Sequence, residues 1–202
     1  MDPMTDWIAL QSRAADLYDA VLPRVADWDA ATPCTEWTAR DVLAHVVDEQ
    51  LWIPGLLAGG TVDEVAEDLD DRLRRLRDAS GPELVEEWAA LREPVAAAWR
   101  GTPGDGEVHL SYGRAPVAHY LGQQTFDLAV HAWDLAASQG LDLHWDDELA
   151  RAVLDFVGND LADNPAPALF DPPLPGFDGP DAPPRDAALA RTGRDPRWRP
   201  HA

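Results

Sequence analysis

The chain has 202 residues, enough for one well-packed domain with a tail, and its 46% hydrophobic content fits a globular protein with a single core. Asp and Glu outnumber the basic residues 37 to 16, for a formal charge of −21; such a surface repels phosphate backbones and anionic lipid, and argues against nucleic acid and membrane partners. A lone Cys34 excludes an internal disulfide, no apolar run approaches the roughly 20 residues that span a bilayer, and the acidic start "MDPMTDW" is unlike a secretory signal, so a cytoplasmic address is expected.

Residues 5–27 repeat apolar side chains near helical spacing (Ile8, Leu10, Ala14, Leu17, Val21, Val25) and predict a first helix, with Pro23 shortening or kinking its last turn. The turn-rich "ATPCTEW" leads into the best-marked start in the chain. Thr38 is placed as N-cap, Asp41 completes a capping box, and Trp37 can staple onto Val42, which predicts a helix over about 38–57. Residues 61–100 read as a charged helix broken at Gly81-Pro82 and a second helix kinked at Pro94. Val108 to Tyr112 is the one segment with strand character, expected as a short extended crossover rather than part of a sheet.

Residues 116–139 carry the longest helical pattern, opened by Pro116 and closed by Gly140. Asp146 then caps a last helix that stops at Asn164-Pro165. From 165 onward the chain is rich in Pro and Gly with scattered apolar anchors (Leu169, Phe170, Leu174, Phe177, Trp198). The expected division is a helical bundle over 4–164 and an irregular proline-rich arm over 165–202 packed upon it.

At about 100° per residue, Val117, Leu121, Leu128, Ala132 and Leu135 fall on one stripe of the 116–139 helix, flanked by Phe126 and Trp133. Tyr120, Gln123, Asp127, His131 and Asp134 share the opposite sector. Between Ala115 and Asp147 there is no Arg and no Glu, although the other helices are laced with both. A polar strip without them is a sheltered strip, and sheltered Asp and His persist when paired or metal-bound. Two readings of this strip stand: a hydrogen-bonded core cluster, or a metal site.

Asp127 and His131 at i and i+4 lie on one helical face and can share a metal, given a third ligand from elsewhere. His45, mid-helix beside the Val42, Leu43, Val46 and Val47 stripe, is the obvious donor. Asp134 can accept a hydrogen bond from a ligand imidazole, and Asp48 and Glu49 can orient His45. His119 turns away from Asp127 and His131, while His109, His144 and His201 are expected in solvent-exposed loops or tail. Cys34 reads as structural, because no His is near it in sequence and its Pro-Cys-Thr context supplies no cation. A phosphate-binding Gly loop, a Gly-x-Ser-x-Gly elbow and a His-Glu-x-x-His helix are all missing.

Three blocks, "ATPCTEWTARDVLAHVVDE", "DLAVHAWDLAASQG" and "GRDPRW", together resemble the actinobacterial metal-binding proteins related to the N-terminal domain of mycothiol-dependent maleylpyruvate isomerase, in the DinB-like group. The resemblance implies an all-α, up-and-down four-helix bundle holding a divalent metal, zinc or nickel, with mycothiol as cosubstrate. Its ligands would be His45, Asp127 and His131. The isomerase carries Glu where this chain has Asp127, one methylene shorter, and continues into a further C-terminal domain where this chain has its arm.

A metal-dependent enzyme of the mycothiol-dependent transferase or isomerase type comes first from this resemblance, with Trp52, Tyr120 and Trp133 as candidate cavity residues. The alternatives are a metal-dependent hydrolase and a non-enzymatic binding module in which the metal ties two helices together. The partner would be a small-molecule substrate or thiol. The Trp content is compatible with a homodimer, which nothing in the sequence specifies.

Overall fold

The computed structural model describes residues 3–163, 171–179 and 181–200. Helix α1 (Pro3–Val21) passes into a short 3-10 turn, Leu22–Arg24, because Pro23 cannot continue the α-helical hydrogen bonding. Helix α2 (Ala39–Leu57) starts at the expected cap. The Asp41 amide donates to the Thr38 hydroxyl, and the Asp41 carboxylate accepts the Thr38 amide at 3.0 Å. Helices α3 (Val62–Asp78) and α4 (Gly81–Gly101) follow, capped by Thr61 with Glu64 and by Ser80 with Glu83. Helix α5 (Val117–Ser138) carries the sheltered polar strip, and α6 (Asp147–Asp163) is capped by the Asp146 carboxylate, which accepts the Glu148 and Leu149 amides at 3.0 Å each.

Helix α1 packs on α5, α2 packs on both α4 and α5, and α4 returns to α1, which closes a four-helix bundle. Its centre is filled by Val42, Leu43, Val46, Val47, Leu121, Leu128 and Leu135, all fully buried. The Tyr18 hydroxyl donates to the Leu128 carbonyl at 3.1 Å inside this core and so joins α1 to α5. Helix α6 lies against α5 and comes close at Gly122, where a Cβ would stand 2.5 Å from the Phe156 ring. Among the described residues no helix is long and apolar enough to cross a membrane.

Two expectations are corrected. The extended segment is not a lone crossover: β1 (Glu107–Leu110) pairs antiparallel with β2 (Gly113–Pro116), with Glu107 opposite Pro116 and Val108 opposite Ala115. Gly113, at φ +125°, allows the tight return, and the pairing satisfies backbone groups that a single strand would leave open. His109 consequently lies half-buried in β1, whereas His144 is exposed as expected and His201 falls outside the described residues.

The second correction concerns the arm, which contains a helix, α7 (Pro184–Arg191), packed on α6. Pro184 opens it, Asp186 in the first turn and Arg191 in the last complement its dipole, and Gly193 at φ +78° ends it. Of the expected anchors, Leu174 binds through its amide to the Ala190 carbonyl at 2.8 Å, Phe177 lies under the Arg197 guanidinium, and Trp198 packs on the core. Leu169 and Phe170 lie outside the described residues.

Removing the α2 cap with Thr38→Ala is expected to cost about 1 kcal/mol of stability. Denaturant unfolding monitored by circular dichroism measures this, and an unchanged midpoint would contradict the role given to the capping box.

Candidate metal centre

The cap at Thr38 and the packing of α2 on α5 set which side chains meet between them. His45 stands two turns into α2, and Asp127 and His131 are one turn apart on α5. Their donor atoms converge: His45 Nε2 and His131 Nε2 each lie 3.4 Å from Asp127 Oδ1, and one donor atom from each residue falls within 4.8 Å of the other two. The second carboxylate oxygen, Asp127 Oδ2, is buried and has no hydrogen-bond partner among the described residues. Trp37 roofs the cluster, its ring stacked on His131 at 5.7 Å and tilted over His45 at 4.9 Å. A tight loop holds Trp37 there, since the Thr32 hydroxyl donates to the Trp37 carbonyl at 2.9 Å and the Trp37 amide donates to the Cys34 carbonyl.

The far side of His131 is fixed as well. Its Nδ1 is 3.0 Å from Asp134 Oδ2, and Asp134 is fully buried. Arg194, from the segment after α7, reaches in to donate to both oxygens of that carboxylate, at 3.4 Å and 3.1 Å. Cys34, His131 and Asp134 form a second group with metal-ligand types. The Arg194 guanidinium already engages both Asp134 oxygens, so a cation at this second group would meet a positive charge rather than free acceptors.

Burial opposes charge on all these groups, and their mutual pairing decides the outcome. Burial would raise the Asp127 carboxyl, but the charges of His131 and His45 outweigh it and hold it well below the usual carboxylate range. Burial would lower His131, but the charge and hydrogen bonding of Asp127 and Asp134 lift it to about 9. His45 is raised for the same reason, against its own burial. Asp134 is lowered, because Arg194 and His131 outweigh its desolvation. Burial pushes the Cys34 thiol up to about 11 despite the nearby Arg194 charge, so Cys34 is a thiol and no ready nucleophile.

Around the trio lies a hydrogen-bonded polar shell. Buried Gln50 donates to Gln124 at 2.7 Å, and Gln124 donates to Glu49 at 3.3 Å. Burial first and the Asp127 charge second raise Glu49.

The structure therefore brings together His45, Asp127 and His131, and it seats Asp134 on the imidazole as expected. His119 stays apart, beside Phe156. Neither acid expected to orient His45 binds it: Asp48 accepts from Trp52 Nε1 at 2.9 Å, while Glu49 is taken up by Gln124 and faces His45 only through its charge. Of the candidate cavity residues, Trp52 is half-buried, and Tyr120 and Trp133 are buried, Tyr120 against Trp99. Trp37, Cys34 and Arg194 are the neighbours that sequence reasoning left out. Cys34 has both a histidine and a cation close in space, supplied from residues about 100 and 160 positions away.

Residues 9–136 match the family described as the mycothiol maleylpyruvate isomerase N-terminal domain, a span that contains all three donors and stops before Arg194. Over 98% of its length the chain is 32% identical to uncharacterised proteins of Mycobacterium tuberculosis strains CDC 1551 and H37Rv, and it covers 100% of each. Crystal structures of mycothiol-dependent maleylpyruvate isomerase and of a histidine-to-alanine variant of it share the fold, with TM-scores of 0.60 and 0.61 at 16% identity. Each alignment covers 76% of this chain and 69% of the isomerase chain. The bundle is thus DinB-like.

The shifted groups set a pH dependence for protein kept in chelator. His131 is raised from 6.5 to about 9, so its contribution is complete below pH 6.5 and is lost as pH rises through 9. Asp127 is lowered from 3.8, so its contribution is present above that value and is lost as pH falls further. Thermal melts of the chelated protein should show stability falling between pH 6.5 and 9, with a shallower fall in His131→Gln. Equal slopes in the two proteins would contradict the ion pairing described.

Proposed function

The chain belongs to the mycothiol maleylpyruvate isomerase N-terminal domain family, and from that premise we propose that His45, Asp127 and His131 hold a divalent metal at which a low-molecular-weight thiol acts. The observation that carries this reading is the spacing of the donors. Two ligands bound about 2.0–2.1 Å from zinc at a tetrahedral angle stand roughly 3.3 Å apart. The two Nε2 to Oδ1 separations are 3.4 Å, longer than the usual N–H···O hydrogen bond of about 2.9–3.0 Å. Asp127 Oδ2, which no described residue hydrogen-bonds, is a further acceptor in the same place. Imidazole donors suit zinc and nickel, as they do copper and iron, and the family relation puts zinc or nickel first.

A divalent cation at these donors supplies a Lewis acid that lowers the pKa of a bound thiol or water. The protein's own residues do the rest. Asp134 accepts a hydrogen bond from the Nδ1–H of His131 and so leaves Nε2, with its lone pair, facing Asp127 and His45. Trp37 covers the two imidazoles and excludes water from that side. Of the Glu49, Gln124 and Gln50 chain, Glu49 is the half-buried member, held in place by the two buried amides behind it, and its carboxyl is the group available to a polar substrate. Together with the family relation, this favours a thiol-dependent transferase or isomerase over a purely structural metal.

Cobalt(II) added to the chelated protein tests the reading. Visible d–d absorption of a low-symmetry site should saturate near one equivalent, and mycothiol should then add a near-ultraviolet thiolate-to-cobalt band. Cobalt spectra that match free aqueous ion would contradict the ligand set. A saturating cobalt spectrum that mycothiol leaves unchanged would contradict the thiol role alone.

A further inference from the structure

Arg194 lies 60 residues beyond Asp134 in sequence and outside the 9–136 family match, yet it is 6% exposed and aimed at the fully buried Asp134 carboxylate. Its placement is built from several sides. The Arg194 amide donates to the Leu189 carbonyl at 3.0 Å, which turns the chain back over the end of α7. Arg194 Nη1 donates to the Thr192 carbonyl at 3.0 Å, and the fully buried Thr192 hydroxyl donates to Leu189 at 2.9 Å. Gly193 makes the turn at φ +78°, where a Cβ would stand 2.4 Å from Asp171 Cβ.

Neutralising a buried carboxylate requires only a nearby cation. The geometry here does more, because Asp134 Oδ2 is shared between Arg194 Nη2 at 3.1 Å and His131 Nδ1 at 3.0 Å. The guanidinium fork grips the carboxylate in one orientation, and that orientation is the one that receives the imidazole N–H. Without the fork, Asp134 would be free to rotate away from His131 or would take up a proton, and His131 would lose its anchor.

We infer that Arg194 is a positioning residue for the metal site: through Asp134 it sets the orientation of His131, so that seating of the 184–200 segment and metal binding at His131 favour each other. This rests on the metal reading proposed above. Because coupling between two sites is reciprocal, metal must tighten the segment by the same factor as the seated segment tightens metal. Residues that orient metal-ligating histidines typically change metal affinity by about 10–100-fold when removed.

The test uses the full chain with zinc as the probe. Zinc affinity is measured by competition with a chromophoric chelator for wild type, Arg194→Gln and Arg194→Lys, and amide hydrogen exchange of residues 184–200 is measured in wild type with and without zinc. Arg194→Gln is expected to bind zinc about 10–100-fold more weakly, with partial recovery in Arg194→Lys, and zinc should slow exchange across 184–200 in wild type. The exchange measurement needs no variant and stands even where Arg194→Gln fails to fold. Wild type that takes up zinc without any change in exchange, or a folded Arg194→Gln with wild-type affinity, overturns the inference while leaving the metal reading intact. Wild type that takes up no zinc overturns both.

Discussion

Helix α5 carries His131 and Asp134 into the interior of a helical bundle with half-buried Asp127 beside them, and a charge removed from water is tolerated only where a partner and hydrogen bonds offset its desolvation. The two carboxylates find part of their offset in other elements, and the imidazole finds its own between them. Asp127 meets His45 from α2, His131 meets Asp127 and Asp134, and Asp134 meets Arg194 from the end of the chain. Removing one partner leaves the next charge buried and uncompensated, so α2, α5 and the segment after α7 are tied together by electrostatics as well as by apolar packing.

The series has a direction. It begins at a guanidinium fixed by backbone turns, passes through a carboxylate and an imidazole, and ends at three donor atoms and a carboxylate oxygen left unpaired among the described residues. The anchored end is Arg194 in the turn after α7, and the end with spare coordinating capacity is the face shared by α2 and α5. A site organised in this way has its orienting groups in the dry interior and its reactive atoms under Trp37, whose loop is held by Thr32 and Cys34 backbone contacts. The thiol of Cys34, raised to about 11 by burial, contributes packing here and not charge.

Much of this was legible from the residues. The capping box at Thr38 and Asp41, the helix ends at Pro116 and Gly140, and the one-turn spacing of Asp127 and His131 are local properties, and local properties survive folding. The absence of Arg and Glu from 115 to 147 correctly marked α5 as sheltered, and eighteen of its residues are indeed buried. What stayed hidden depended on long-range contacts. The β1–β2 pairing needed Gly113 to be seen as a turn, and α7 was masked by the prolines around an otherwise helical "RDAALAR". Arg194 stood in the quoted "GRDPRW" block, yet nothing in its spacing could reveal a partner 60 residues earlier. Trp37 stands beside the cap as expected, but its place over the site depended on two side chains from different helices, His45 and His131, which its ring meets.

The central claim is that His45, Asp127 and His131 act together as one metal site. Elemental mass spectrometry of untagged protein, produced with zinc, nickel, cobalt and manganese all supplied, tests it most directly when His45→Ala and His131→Ala are measured beside wild type. About one divalent metal per chain is expected in wild type, with none retained in either variant while helical circular dichroism is preserved. Stoichiometric metal in His45→Ala, or no metal in any wild-type preparation, would contradict the claim and leave the cluster as a hydrogen-bonded tie between α2 and α5.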